Sequence, residues 1–263
     1  MPRYKLTIEY AGTRYSGWQI QTNARTIQGE LVKAVREVTA RERFEVYGAG
    51  RTDAGVHALA QVAHLDVGTS LPPATLALKL NDALPNDIHV RRVEVVPHRF
   101  HARHDATARG YLYQISRRRT AFAKPFVWWV RDPLDVTRMR AAATSFAGMR
   151  DFASFTDDDP DEKSTTVAIA GVTVEEAGAL VLVRVVGSHF LWKMVRRMVG
   201  LLVAVGTGAI APREVTRALT SRSELPAKLT APASGLFLER VYYEGDARDT
   251  AVQSPIVLPS LLL

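Results

Sequence analysis

Asp53 lies in the stretch Tyr47-Gly48-Ala49-Gly50-Arg51-Thr52-Asp53-Ala54-Gly55-Val56-His57-Ala58, where three glycines fall within eight residues. Apolar, strand-like residues flank it on both sides. Glycine at that density marks a tight loop between two strands. In an extended chain Arg51 and Asp53 point to one side and Thr52 to the other. An aspartate in such a loop commonly forms a turn or a cap. Its other use is chemistry, as a carboxylate presented beside an arginine. The loop is not a phosphate-binding P-loop, because no Lys-Ser/Thr pair follows the glycines and a strand comes next. Neither Gly-x-Ser-x-Gly nor His-Glu-x-x-His occurs in the chain.

Two further groups of residues bear on that aspartate. Residues 91–119 hold eight arginines against Glu94 and Asp105, a local balance of +6. The stretch includes Arg103 and Arg109, with Tyr111 and Tyr113 following. Arginine offers a planar fork to phosphate oxygens and tyrosine a face for a base, so the stretch reads as RNA-binding or as a solvated sheet edge. His98, His101 and His104 are interleaved with Arg99 and Arg103, and cationic neighbours disfavour a metal site there. In the helix expected over 190–205, Phe190, Met194, Val195, Met198 and Leu201 share an apolar arc. Arg196 lies opposite, but Trp192, Val199 and Val203 flank it. This placement suggests a half-buried cation that needs an anionic partner, with Asp53 one candidate among 27 acids.

These groups are positioned by a repeated order of elements. Alternation and periodicity predict strands over 4–10, 44–47, 56–67 and 88–96, with helices over 26–39 and 74–83. Thr26 stands near the start of the first helix and Pro72-Pro73 open the second. The second half predicts strands over 108–116, 167–175, 180–186 and 236–243. Its helices run over 135–148, 190–205 and 212–221, and Asp135 serves as an N-cap. The order β-α-β-β-α-β therefore occurs twice, which implies an α+β fold of two tandem ferredoxin-like halves with mainly antiparallel sheet. The expected divisions are 1–105, 106–246 and a tail over 247–263. Residues 157–162 read as a solvated acidic loop. The apolar tail over 256–263 is too short to span a bilayer and either packs on a neighbour or is disordered.

Composition narrows the classes. The chain has 263 residues, is 47% hydrophobic and carries a net charge of +7, with a pI near 9.8. That balance favours an anionic partner such as nucleic acid. With no cysteine, disulfides, thiolate catalysis and Cys-based zinc sites are excluded. The first residues show no apolar signal region. The longest apolar run is broken by Lys193, Arg196 and Arg197, so no membrane span and a cytoplasmic location are expected.

Gly50-Arg51-Thr52-Asp53-Ala54-Gly55-Val56-His57-Ala58 resembles the signature of the TruA family of tRNA pseudouridine synthases. The likeness extends to Gly17-Trp18-Gln19 with Thr26-Ile27-Gln28-Gly29-Glu30, and to Phe100, Ala102-Arg103, Ala106 and Arg109-x-Tyr111-x-Tyr113. It continues through Asp151-Phe152-x-Ser154-Phe155, then Phe190-Leu191-x-x-Met194-Val195-Arg196-x-x-Val199-Gly200, and Ala231-Pro232-x-x-Gly235-Leu236-x-Leu238. The motifs run in order over residues 4–243. The resemblance implies isomerisation of uridine to pseudouridine at positions 38, 39 and 40 of the tRNA anticodon stem-loop, by a homodimer without cofactor or metal. It makes Asp53 the catalytic carboxylate, Tyr111 a substrate-binding tyrosine, Arg51 a residue that helps turn the uridine out, and Arg196 the basic partner of Asp53. Arg103 and Arg109 are expected to contact phosphates. Arg150 and Thr165-Thr166 depart from the family's usual residues, and the tail after about Arg248 lies outside the likeness.

The reaction breaks the C1′–N1 bond, turns the base over and joins C1′ to C5. An ionised carboxylate suits it by adding to the base or the ribose, or by assisting loss of a ribose proton, and the sequence leaves these routes open. Two rival readings also remain. One is a non-catalytic RNA-binding protein, whose Lys/Arg-Gly-Phe-type strand is not found here. The other is a pseudouridine synthase acting on a different RNA.

Overall fold

Alternation in the first strand sets the first sheet. In β1 (Arg3–Tyr10), Tyr4, Leu6, Ile8 and Tyr10 are buried while their neighbours face outward, the pattern of a strand with one covered face. In the computed structural model, which describes residues 1–159, 164–248 and 251–260, the chain divides into two compact units. The first comprises Met1–Thr107 with Phe237–Asp246, and the second Ala108–Leu236 with the tail.

In the first unit, α1 (Ile27–Thr39) follows β1, then β2 (Glu45–Gly48), β3 (His57–Asp66), α2 (Pro73–Ala83) and β4 (Ile88–Val96). β1 pairs antiparallel with both β3 and β4, and β2 pairs antiparallel with β3. The order β4-β1-β3-β2 is that of a ferredoxin-like half. The Thr26 hydroxyl accepts from the Gly29 N–H at 3.2 Å and starts α1. Ile27, Leu31, Ala34 and Val35 then bury the helix against the sheet. Ala40 at φ 50° ends it.

The second unit runs β5 (Ala108–Ser116), β6 (Trp128–Trp129), α3 (Val136–Ala143), β7 (Gly148–Asp151), β8 (Thr166–Ala177), β9 (Leu180–Gly187), α4 (Met194–Gly206), α5 (Arg213–Thr220) and α6 (Leu225–Lys228). Its sheet order is β5-β9-β8-β7, antiparallel throughout, with β6 parallel beside β5. Asp135 caps α3 by accepting from the Arg138 N–H at 2.9 Å. Phe146, Phe152 and Phe155 pack edge and face within its core, so the aromatic residues of Asp151-Phe152-x-Ser154-Phe155 serve packing.

Several boundaries differ from those the sequence predicts. β10 (Leu236–Tyr242) pairs parallel with β3, Phe237 opposite His57 and Leu238 opposite Ala58. Residues 237–246 group with the first unit. The helix expected over 135–148 stops at Ala143. A short 3-10 turn follows, and Gly148 at φ +88° redirects the chain into β7, a strand too short and too exposed to show periodicity. The helix expected from Phe190 begins at Met194, because Lys193 takes a left-handed conformation at φ 61° and Asp158 Oδ2 holds the Trp192 N–H at 3.1 Å.

The acidic loop is tied down where it is described. Asp157 receives Lys193 Nζ at 2.8 Å and also pairs with the buried Arg197. These cations hold its carboxyl below the usual carboxylate range. Residues 160–162 of that loop lie outside the described residues. The tail packs on its own unit: the Leu258 carbonyl accepts from the Ala179 N–H at 3.0 Å, and Leu258 is buried. Residues 261–263 lie outside the described residues.

Candidate active site

The Asp53 loop is shaped by the segment that leaves β1. The Trp18 N–H donates to the Thr52 carbonyl at 3.1 Å, and the Gly55 N–H to the Tyr15 carbonyl at 3.3 Å. Behind the loop, Thr52 is buried and its hydroxyl lies 2.8 Å from Tyr10 Oη. Gln61 Nε2 donates to the Gly50 carbonyl at 3.0 Å. His57 is buried, accepts the Gly12 N–H on Nδ1 at 3.0 Å, and stacks on Phe237. The Asp53 backbone carbonyl closes a turn by accepting the Val56 N–H at 3.2 Å, with Gly55 at φ +78° inside it. Thr52 thus faces inward, while Arg51 is exposed and Asp53 half-buried.

Close backbone approach explains one glycine outside the loop. Gly17 sits at φ +90°, and a Cβ there would lie 2.4 Å from the Thr52 carbonyl oxygen. Within the loop the glycines are not equivalent. Gly55 needs its positive φ, and Gly48 makes room for the Trp18 ring, but a Cβ at Gly50 would meet nothing within 4 Å. Of the three, only Gly55 is required by the bend itself, which corrects the expectation for Gly48 and Gly50.

In the second unit, Tyr111 on β5 is half-buried, with its ring set edge-on against Phe190 at 5.0 Å. Arg109, two residues earlier, donates from Nη1 to the Ser188 carbonyl at 3.0 Å. Arg109 and Tyr111 therefore share the segment 188–190. Arg196 on α4 is half-buried, as its flanking apolar residues predict. Its Nε donates to the Ala231 carbonyl at 2.7 Å, and the Ala231 N–H returns a bond to the Arg196 carbonyl at 3.1 Å. The Ala231-Pro232 motif is thus the brace of Arg196.

Tyr113 is not a stacking platform. It is fully buried, donates to the Pro232 carbonyl at 2.8 Å and packs on Trp128. Burial raises its phenol well above the ordinary range. The arginine-rich stretch does not form one patch either. Arg91 and Arg92 pair with Glu9 and Glu94 in the first unit, whereas Arg109 and residues 117–119 belong to the second.

Arg103 is exposed, on a turn of the first unit built around His101. The Nδ1 of His101 accepts from the Arg103 and His104 N–H groups, each at 3.2 Å. The neighbouring Ala102 N–H donates to Nδ1 of the buried His64 at 3.1 Å. These ring nitrogens act as turn acceptors. Among the described residues no group of three or more His, Asp or Glu is placed to hold a metal ion, and no helix is long and apolar enough to cross a membrane.

Tyr10 and Gly12, which carry no expected role, brace the loop from behind together with His57. Two glycines and a tryptophan within residues 12–18, directly after a strand, were the available signal.

Comparison with known proteins identifies the family. A family model described as tRNA pseudouridine synthase matches residues 6–105 and 142–244. A tRNA pseudouridine synthase A from Rhodopseudomonas palustris is 44% identical over 93% of this chain and 100% of its own length. One from Nitrobacter winogradskyi is 43% identical over 93% of this chain and 97% of its own. One from Bacillus licheniformis is 38% identical over 92% and 99%. A distant likeness, at 13% identity and a TM-score of 0.33, links 76% of this chain to 45% of a chain in a Cbf5-Nop10-Gar1 complex. The chain belongs to the tRNA pseudouridine synthase family, the isomerases that convert uridine to pseudouridine in tRNA.

Proposed function

We propose that the chain isomerises uridines at positions 38, 39 and 40 of the tRNA anticodon stem-loop, with Asp53 as its catalytic carboxylate. The observation that carries the role of Asp53 is the bracing of its loop. Thr52, Gly50 and Gly55 are each held by a bond from outside the loop, and Asp53 itself lies half-buried at the turn. Such a carboxylate is pre-organised to meet a base that has left its stack. The positions in tRNA rest on the family resemblance.

In the reaction the C1′–N1 bond breaks, the base turns over and C1′ bonds to C5. N1 gains a proton and C5 releases one, so the change is an isomerisation. Taking the uridine out of its stack costs a few kcal/mol. Arg51, exposed beside Asp53, occupies the vacated space, and Tyr111 supplies a face for the base. Arg196, fixed by Ala231, supplies positive charge. Arg103 and Arg109 bind phosphates. The homodimer and the cytoplasmic location also rest on the resemblance, and light scattering of the purified chain tests the first.

The test is tritium release from tRNA carrying C5-labelled uridine, followed by mapping of the modified positions. Release from tRNA, lost in Asp53→Asn with binding and melting temperature intact, is the expected result. Release from ribosomal RNA alone would show a different substrate. No release from any transcript would leave an RNA-binding protein.

A further inference from the structure

A second concentration of charge lies in the second unit, beyond the strand that carries Tyr111. Residues 117–131 (Arg-Arg-Arg-Thr-Ala-Phe-Ala-Lys-Pro-Phe-Val-Trp-Trp-Val-Arg) contain five cations and no acid. The segment leaves the end of β5, loops out and returns as β6, with Trp128 opposite Ile115 and Trp129 opposite Ser116. Val127 and Val130 are buried, Trp128 is half-buried and Trp129 is exposed.

The exposed side chains are of the types that hold an unpaired nucleotide. Phe122 is 97% exposed and Trp129 is 42% exposed. An exposed phenylalanine has no packing role, and a single one is unremarkable. Here it stands among cations. The Arg119 guanidinium lies 5.8 Å from the centre of the Trp129 ring. Lys124 and Arg131 are exposed and make no ion pair among the described residues. Arg117 differs, since Glu176 and the Gly178 carbonyl already bind it.

We propose that residues 117–131 form a second RNA-contact surface. An unstacked nucleotide packs on Phe122 or Trp129, and Arg119, Lys124 and Arg131 hold the adjoining phosphates. From Tyr111 to Ser116 is five strand residues, about 17 Å. That spacing matches roughly five stacked bases at about 3.4 Å each, so the surface contacts tRNA away from the uridine being modified. The inference rests on tRNA being the substrate.

The test compares intact tRNA with an isolated anticodon stem-loop, using the full chain. Phe122→Ala and Trp129→Ala should weaken intact-tRNA binding about 5- to 100-fold. The double change Lys124→Gln with Arg131→Gln should flatten the salt dependence by about one to two phosphates. Binding and turnover of the stem-loop should stay at the wild-type level in every variant. Melting temperature checks Trp129→Ala, and Phe122→Ala, nearly fully exposed, carries no folding risk. Unchanged affinity and salt slope for intact tRNA, while wild type still releases tritium, would overturn the surface alone. Equal losses for stem-loop and intact tRNA would also overturn it, as would a change in oligomeric mass without a change in tRNA affinity. No tritium release by wild type would instead overturn the functional reading.

Discussion

Tyr10 Oη and Thr52 Oγ1 lie 2.8 Å apart, both buried, and join the last residue of β1 to the residue before Asp53. Through this bond the central strand of the first sheet fixes the back of the Asp53 loop. Either partner removed alone leaves the other less satisfied in a dry setting, at a typical cost of about 1–3 kcal/mol. Tyr10→Phe and Thr52→Val should each destabilise by that order and lower kcat more than KM. In denaturant titrations the double variant should cost less than the two singles combined. Full additivity would show that the bond is not shared.

Gly17 tests the same brace from the backbone side. Its φ of +90° and the 2.4 Å approach to the Thr52 carbonyl leave no room for a methyl group. Gly17→Ala must displace residues 52–53. A misplacement near 1 Å commonly costs about 100-fold in rate, so kcat should fall by that order while tRNA affinity changes little. Gly50→Ala, which meets nothing within 4 Å, is the control and should keep near wild-type turnover. Equal losses in the two variants would argue against the brace.

Acid should unsettle the first unit through His64. Burial first, then Arg3 and His101, push its pKa from 6.5 down to about 4, and its Nδ1 must stay unprotonated to accept from Ala102. The unfolded chain takes up a proton near pH 6.5 that the folded chain refuses until about pH 4. Stability is therefore full above about pH 6.5 and falls as pH drops through that window. The total is on the order of 3 kcal/mol. Denaturant midpoints measured from pH 7 to pH 4 should fall, and His64→Gln should remove much of the slope. A parallel slope in the variant would assign the effect elsewhere.

Arg197 is 3% exposed, and Asp157 pairs with it at the start of α4. Removing the acid leaves a buried cation without this partner. Asp157→Ala should cost on the order of 2 kcal/mol, less than the ~3–5 typical of a fully buried pair because Asp157 is partly exposed. Asp157 has a lowered pKa in the folded chain. Its contribution is present above the ordinary carboxylate pKa and is lost as pH falls through the folded value. The difference in melting temperature between wild type and variant should be full at pH 7 and shrink progressively as pH falls below about 4.

Periodicity and turn chemistry in the sequence determined most elements. β1, α1, β3, α2, β4, β5, β8 and β9 follow directly from alternation, apolar stripes and the caps at Thr26 and Asp135, because those signals are local. The short motifs singled out Asp53, Tyr111 and Arg196 as candidates, and the flanking residues of Arg196 foretold its half-buried state. Three matters waited for the tertiary structure. Strand pairing decided that β10 joins β3, since a register between distant segments leaves no local trace. Burial decided that Tyr113 packs while Tyr111 stays open, although both stand on one face of one strand; the Pro232 carbonyl that receives Tyr113 is 119 residues away. Contact across the chain decided what holds Asp53, because Tyr10, Gly17 and Trp18 meet Thr52 only once β1 and β3 have paired. Sequence specifies which residues are present and their local conformation, whereas the acceptors for buried polar groups come from wherever folding brings them.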